Sequence, residues 1–230
     1  MAYRHLFFDL DHTLWDFDRN SEETLLELYR EFDLGYLANV GEEDYLLTFK
    51  EVNRWLWDQY NHSKIDKEFI RSRRFELIFG RLGVPKEEVP PALGDLYLQR
   101  CPQKPHLLPH SKEILDYLAG QYTLHILTNG FNDVQHTKLR CSGIREYFQT
   151  VVTSECTGHK KPSPEIFGYA LQQARGEAAE SLMIGDSLDA DIEGAHRAGI
   201  DSVFYNPDRL FHQKTPRYEI RNLLEMKDFL

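Results

Sequence analysis

Apolar positions along this chain follow two rhythms. Leu6, Phe7 and Phe8 form a short unbroken apolar run, the pattern of a strand buried on both faces of a parallel sheet. From residue 20 to about 100 the rhythm becomes helical. Leu25, Leu28, Tyr29 and Phe32 recur at helical spacing behind Asn20 and Glu23, which are spaced as a capping box. Tyr45, Phe49, Val52 and Leu56 repeat the pattern. Further helices are predicted over 67–82, ending near Gly83 and Pro85, and over 91–100.

The proline-rich stretch from Cys101 to Pro109 returns the chain to alternation. Helices are predicted over 111–119, up to about 141, over 164–174 and over 188–198. Strands are predicted over 122–127, 150–153, 182–184 and 202–205. Ser163 and Pro164 read as an N-cap and first helical residue. Strands alternating with helices predict a doubly wound parallel sheet of the α/β class, with ligands at the carboxyl ends of the strands. The polar stretch 208–215 is predicted to be a loop.

Composition narrows the function. The formal net charge of −10 argues against a general nucleic-acid or anionic-membrane binder. Cys101, Cys141 and Cys156 form no C-x-x-C pair and fit a reducing, cytoplasmic setting. The ten histidines show no zinc-type spacing. No apolar run is long enough to span a bilayer, and no signal-peptide pattern opens the chain.

Candidate chemistry sits at predicted strand ends. Asp9 and Asp11, after the first strand, are two residues apart, so an extended backbone turns both toward one site. Two close carboxylates repel unless a cation lies between them, which points to a magnesium and phosphate site. Taken alone, the pair reads equally as a solvated acidic turn. Thr128-Asn129-Gly130 alone reads as a turn, Lys160-Lys161 as a solvated pair and Gly185-Asp186 as a helix-capping turn. Asp189 and Asp191 alone would favour the positive end of a helix. His12 reads as a surface imidazole.

In their order and context, Asp9-x-Asp11, Thr128-Asn129-Gly130, Lys160-Lys161-Pro162 and Gly185-Asp186 through Asp191 resemble the four motifs of the haloacid dehalogenase (HAD) superfamily of phosphohydrolases. Val52 to Tyr60, Arg74-Phe75-Glu76, Thr128 to Phe131 and Phe204 to Pro207 resemble its house-cleaning pyrimidine 5′-nucleotidases. The resemblance implies a Rossmann-like catalytic core over 1–15 and 102–230, with an all-helical cap inserted over 16–101.

It also implies roles. Asp9 would attack phosphorus and form an aspartyl phosphate, and Asp11 would act as general acid and base. Dehalogenating relatives lack an acid at the position of Asp11. Mg²⁺ would be held by Asp9, the backbone carbonyl of Asp11 and Asp186, with Asp191 in direct or water-mediated support. Thr128 would donate to a phosphoryl oxygen beside the backbone N–H groups of Asn129 and Gly130. Lys161, which directly precedes Pro162, would neutralise charge on the phosphoryl group and on Asp9, while Lys160 would point to solvent.

The cap would choose the leaving group. Trp15 and Phe17 would contact it, and Trp55, Trp57 and Tyr60 would mostly pack as core. The expected substrate is a small phosphorylated metabolite, a pyrimidine nucleoside 5′-monophosphate, handled by a monomer or dimer without nucleic acid or membrane. Open alternatives are a phosphatase of sugar or acyl-sugar phosphates, a phosphomutase and a non-catalytic binding domain.

Overall fold

A computed structural model describes residues 3–230 of the chain. It divides into two compact units, Met1–Phe17 with Pro105–Leu230, and Asp18–Lys104. No helix among the described residues is long and apolar enough to cross a membrane.

The first unit is built on a six-stranded parallel sheet. Its strands are β1 (His5–Phe8), β2 (Thr123–Thr128), β3 (Phe148–Thr153), β4 (Ser181–Gly185), β5 (Asp201–Tyr205) and β6 (Tyr218–Ile220). Their spatial order is β3-β2-β1-β4-β5-β6. Strands following β1 build outward to β3 on one side, and the chain resumes on the other side at β4. The order therefore reverses between β1 and β4, where open α/β sheets leave a crevice at their strand ends. Phe8 is in register with Ile126 on one side and Ile184 on the other. Leu6, Phe7 and Phe8 are all buried, as a central strand covered on both faces requires. Phe7 joins Leu127, Val152, Ile166, Phe167 and Met183 in one apolar cluster.

The second unit is helical: α2 (Leu34–Ala38), α3 (Glu42–Asn61), α4 (Lys67–Arg81) and α5 (Leu93–Arg100) follow α1 (Phe17–Glu31), whose first residue belongs to the sheet unit. The apolar positions Leu25, Leu28, Tyr45, Phe49, Val52 and Leu56 are buried as their spacing predicts. Asp66 caps α4 by accepting from the Phe69 N–H at 2.8 Å. Tyr60 is core, Trp57 is half-buried and Trp55 is exposed.

The sheet unit's helices are α6 (Ser111–Leu118), α7 (Asn132–Cys141), α8 (Ser154–Thr157), α9 (Pro164–Ala174) and α10 (Gly194–Arg197).

Three expectations are corrected. Asn20 and Glu23 do not open a helix: α1 starts at Phe17, so Asn20 is a buried interior residue whose carbonyl accepts from Thr24. Ser163 holds the N-cap position of α9, but its hydroxyl turns to Glu165 and not to the helix N–H groups. The stretch 188–198 is not one α-helix. It is a π-helix over Leu188–Glu193 running into α10. Strand β6 and the 3₁₀ turn Leu223–Asp228 were not foreseen, because three residues are too few to carry an alternating pattern.

One buried polar pair crosses the sheet. The His125 imidazole is fully buried, stacked on the Phe7 ring at 4.7 Å between centroids. Its nitrogens meet His5 Nδ1 at 3.1 Å and the Thr150 hydroxyl at 2.7 Å. Burial and the neighbouring His5 push His125 down to about 4. The unfolded chain therefore binds this proton more tightly than the folded one. Stability is expected to fall as pH drops from about 6.5 to about 4, by about 3 kcal/mol at most from this residue. Urea unfolding of His125→Asn against wild type across that window is expected to show a shallower loss in the variant; parallel curves would refute it.

Candidate active site

The carboxyl ends of β1, β2 and β4 supply the site. Asp9 follows β1 directly, and its N–H donates to the Ile184 carbonyl of β4 at 2.9 Å. That bond extends the β1–β4 ladder by one residue and brings Asp9 beside Asp186, which follows β4. Lys161 is 1 % exposed and reaches into the same place. Its ammonium donates to Asp9 Oδ1 at 2.6 Å, Asp191 Oδ1 at 2.6 Å and the Leu127 carbonyl at 2.8 Å. Three donors and three acceptors satisfy a buried ammonium in full.

The loops are tied to one another. The Asn129 side chain donates to the Lys161 carbonyl at 2.9 Å and accepts from the Lys161 N–H at 2.7 Å. Ser154 donates to the Asn129 carbonyl at 3.1 Å. Asp191 Oδ2 accepts from the Ser187 N–H at 3.0 Å, which pins the π-helical turn. A Cβ on Gly185 would lie 2.1 Å from that same oxygen, so only glycine lets Asp191 come so close.

Asp11 lives in a different environment. Lys138 donates to its Oδ1 at 2.6 Å and Gln135 to its Oδ2 at 2.9 Å. Gln135 Nε2 also donates to the Thr128 hydroxyl at 2.8 Å, and the Gly130 N–H donates to that oxygen at 3.1 Å. Both contacts use Thr128 as an acceptor, so its hydroxyl hydrogen remains available as a donor. The Lys138 ammonium sits 4.4 Å from the Trp15 ring centroid and 5.7 Å from that of Phe17, within cation–π range.

Electrostatics separate the two aspartates. Burial pushes Asp9 up to about 7, and Asp191 and Asp11 add to that push against Lys161. Asp186 is raised well above the usual carboxylate range by burial and by Asp9 and Asp191. Burial works against the charged form of Asp11 too, but Lys138 and Gln135 win and hold it below that range. Burial opposes the Lys161 charge as well, yet Asp191 and Asp9 raise it.

Oxygens of Asp9, Asp186 and Asp191 lie within 4.8 Å of one another. Fully ionised, these three carboxylates face one ammonium, and burial first, with their mutual repulsion after it, raises Asp9 and Asp186. A hard divalent cation with oxygen preference fits such a donor set. Thr13 donates to Asp186 Oδ1 at 3.2 Å and orients it.

The structure thus gathers Asp9, Lys161, Asp186 and Asp191 into one cluster, and Asp11 with Thr128 into a second. The Asp11 carboxylate lies outside the acidic cluster. The Gly130 N–H is already committed to Thr128, and Asn129 acts through its side chain. Trp15 is fully buried and carries Lys138, so its ring is packed where contact with a leaving group was expected; Phe17 is half-buried beside it. Lys160 is half-buried where a solvated side chain was expected, and burial lowers it. Gln135, Lys138 and Thr13 were not foreseen. The available signal was the i, i+3 spacing of Gln135 and Lys138 one turn into the helix after Thr128-Asn129-Gly130, which places both on one face.

Residues 6–205 match the family model described as haloacid dehalogenase-like hydrolase. The chain is 35% identical over 234 residues to the pyrimidine 5′-nucleotidase PynA of Streptococcus pneumoniae, covering 100% of this chain and 96% of the relative. It is 31% identical to the pyrimidine 5′-nucleotidase YjjG of Escherichia coli over 233 residues, covering 100% and 99%. The crystal structure of the HAD-hydrolase YfnB from Bacillus subtilis bound to magnesium superposes with a TM-score of 0.88 at 30% identity, covering 99% of this chain and 98% of that one.

Removing the Lys161 ammonium leaves the clustered carboxylates of Asp9, Asp186 and Asp191 facing one another. Lys161→Met is expected to cost about 3–5 kcal/mol of folding stability, read as a lower urea midpoint at unchanged m-value. A midpoint equal to wild type would contradict the role given to this lysine.

Proposed function

This chain belongs to the haloacid dehalogenase-like hydrolases and is a phosphatase of that family, and from that premise we propose that it hydrolyses pyrimidine nucleoside 5′-monophosphates with Mg²⁺, through a phosphoenzyme on Asp9. One observation carries the chemistry: Asp9 lies with Lys161, Asp186 and Asp191 at the strand ends, while Asp11, two residues on, is held by Lys138 and Gln135 beside Thr128. The similarity to two pyrimidine 5′-nucleotidases supports the substrate class.

Asp9 is the nucleophile in this reading. A carboxylate needs no base to activate it, but it must approach an anionic phosphoryl group. Lys161 beside it and the Thr128 hydroxyl lower that cost by meeting charge on the phosphoryl oxygens. Asp9, Asp186, Asp191 and the backbone carbonyl of Asp11 would hold the ion. Bound Mg²⁺ supplies positive charge shared by the attacking carboxylate and the phosphoryl group. In its protonated form Asp11 would donate that proton to the departing nucleoside oxygen as the phosphorus–oxygen bond breaks. It then takes a proton from the water that attacks the aspartyl phosphate, which releases phosphate and restores both aspartates. Lys138 and Gln135 keep the Asp11 carboxylate aimed away from the acidic cluster.

Phosphate release is expected from UMP or dTMP in the presence of Mg²⁺, and to fall to background with excess chelator or in Asp9→Asn. A clear preference for sugar phosphates over these nucleotides in the same assay would remove the substrate reading while leaving the chemistry. Lys138→Met is expected to slow UMP hydrolysis by about 10–100-fold. Its effect on p-nitrophenyl phosphate should be smaller, because that leaving group departs without a proton. Equal losses on both substrates would detach Lys138 from Asp11's proton transfer.

A further inference from the structure

Gln135 carries no charge and belongs to no motif, yet it is fully buried in the first turn of α7. Both of its amide hydrogens are committed. Nε2 donates to Asp11 Oδ2 at 2.9 Å and to the Thr128 hydroxyl oxygen at 2.8 Å. Oε1 has no partner among the described residues. A buried carbonyl left unpaired lowers stability, so stability alone does not account for an amide at this position. Its orientation is forced. While Asp11 is ionised its Oδ2 can only accept, and turning the amide over would set Oε1 against it.

The same contact decides the state of Thr128. A hydroxyl has two lone pairs and one hydrogen. Gln135 Nε2 takes one lone pair, and the Gly130 N–H takes the other at 3.1 Å. The hydrogen is excluded from both directions and lies along the one that remains. Thr128 is buried, and no acceptor among the described residues receives that hydrogen. With Gln135 gone, one lone pair is released, and the hydrogen gains a second position on the side of the Asp11 carboxylate.

Gly130 carries the same requirement in the backbone. A Cβ there would lie 2.0 Å from Gln135 Nε2 and 2.4 Å from its Cδ. The Gly130 φ is not positive, so the backbone itself would accept alanine. Glycine is needed because the amide lies against it.

We propose that Gln135 is a positioning residue for phosphoryl transfer: oriented by Asp11 and seated against Gly130, it aims the Thr128 hydroxyl hydrogen at a phosphoryl oxygen. The proposal rests on the reading of Thr128 as a phosphoryl donor, and not on the identity of the nucleoside.

The test is kcat/KM for p-nitrophenyl phosphate with Mg²⁺. It covers the steps up to departure of p-nitrophenolate, which needs no proton from Asp11. Every variant is first shown to unfold cooperatively, and Gln135→Ala replaces Gln135→Met if the latter does not. Gln135→Met, which keeps the bulk and loses the donor, is expected to lower kcat/KM about tenfold, against ~10²–10³-fold for Thr128→Val. In the Thr128→Val background Gln135→Met is expected to cost less than about twofold, because the group it aims is absent. Gly130→Ala is expected to match Gln135→Met, and to lose its effect in Gln135→Ala, where the added methyl meets no amide. A wild-type rate in Gln135→Met, an equal loss with and without the Thr128 hydroxyl, or a Gly130→Ala effect that persists in Gln135→Ala overturns the inference. A wild-type rate in Thr128→Val overturns the donor reading and the inference together. The expected pattern in a chain that does not hydrolyse UMP rejects the nucleotidase and upholds the positioning role.

Discussion

The buried ammonium of Lys161 is the constraint on which the sheet unit's site depends. It makes three short contacts to three strand ends: Asp9 after β1, the Leu127 carbonyl in β2 and Asp191 beyond β4. Desolvating an ion of this size costs several kcal/mol, which only a full set of well-placed acceptors offsets. Breaking any one contact exposes the others to that cost, so the three loops are held as a unit. Two further details serve the same point. Asn129 clasps the backbone of Lys161 from both sides, and Gly185 leaves the room that Asp191 occupies.

Around that point the fold divides two chemically identical side chains. Asp9 and Asp11 are two residues apart, yet one is crowded by carboxylates and the other is drawn down by Lys138 and Gln135. The difference comes from α7, which returns a lysine and a glutamine to the end of β1 from more than a hundred residues away. Trp15 adds to this by offering its ring to Lys138, so an aromatic residue beside the motif works as a support for a charge.

The helical unit gives the opposite case of a buried cation. Lys161 is met by two carboxylates, whereas Arg74 is met by an aromatic ring and another arginine.

Much of this was legible in the sequence. Hydrophobic rhythm located β1, β2, β4 and β5 and the helices α1, α3, α4 and α5, because burial on one face imposes a period that any reader of the chain can count. Short motifs at strand ends named Asp9, Asp11, Thr128, Lys161, Asp186 and Asp191 as candidates, since a parallel sheet collects its loops at one edge. The chain did not show, without its tertiary structure, which partner each charge would find. Gln135, Lys138 and Thr13 carry no motif of their own, and Trp15 looked like a ligand contact until its burial was seen. Periodicity records which way a side chain faces along its own element. Distances between elements, and with them the electrostatic state of each group, exist only once the chain has closed on itself.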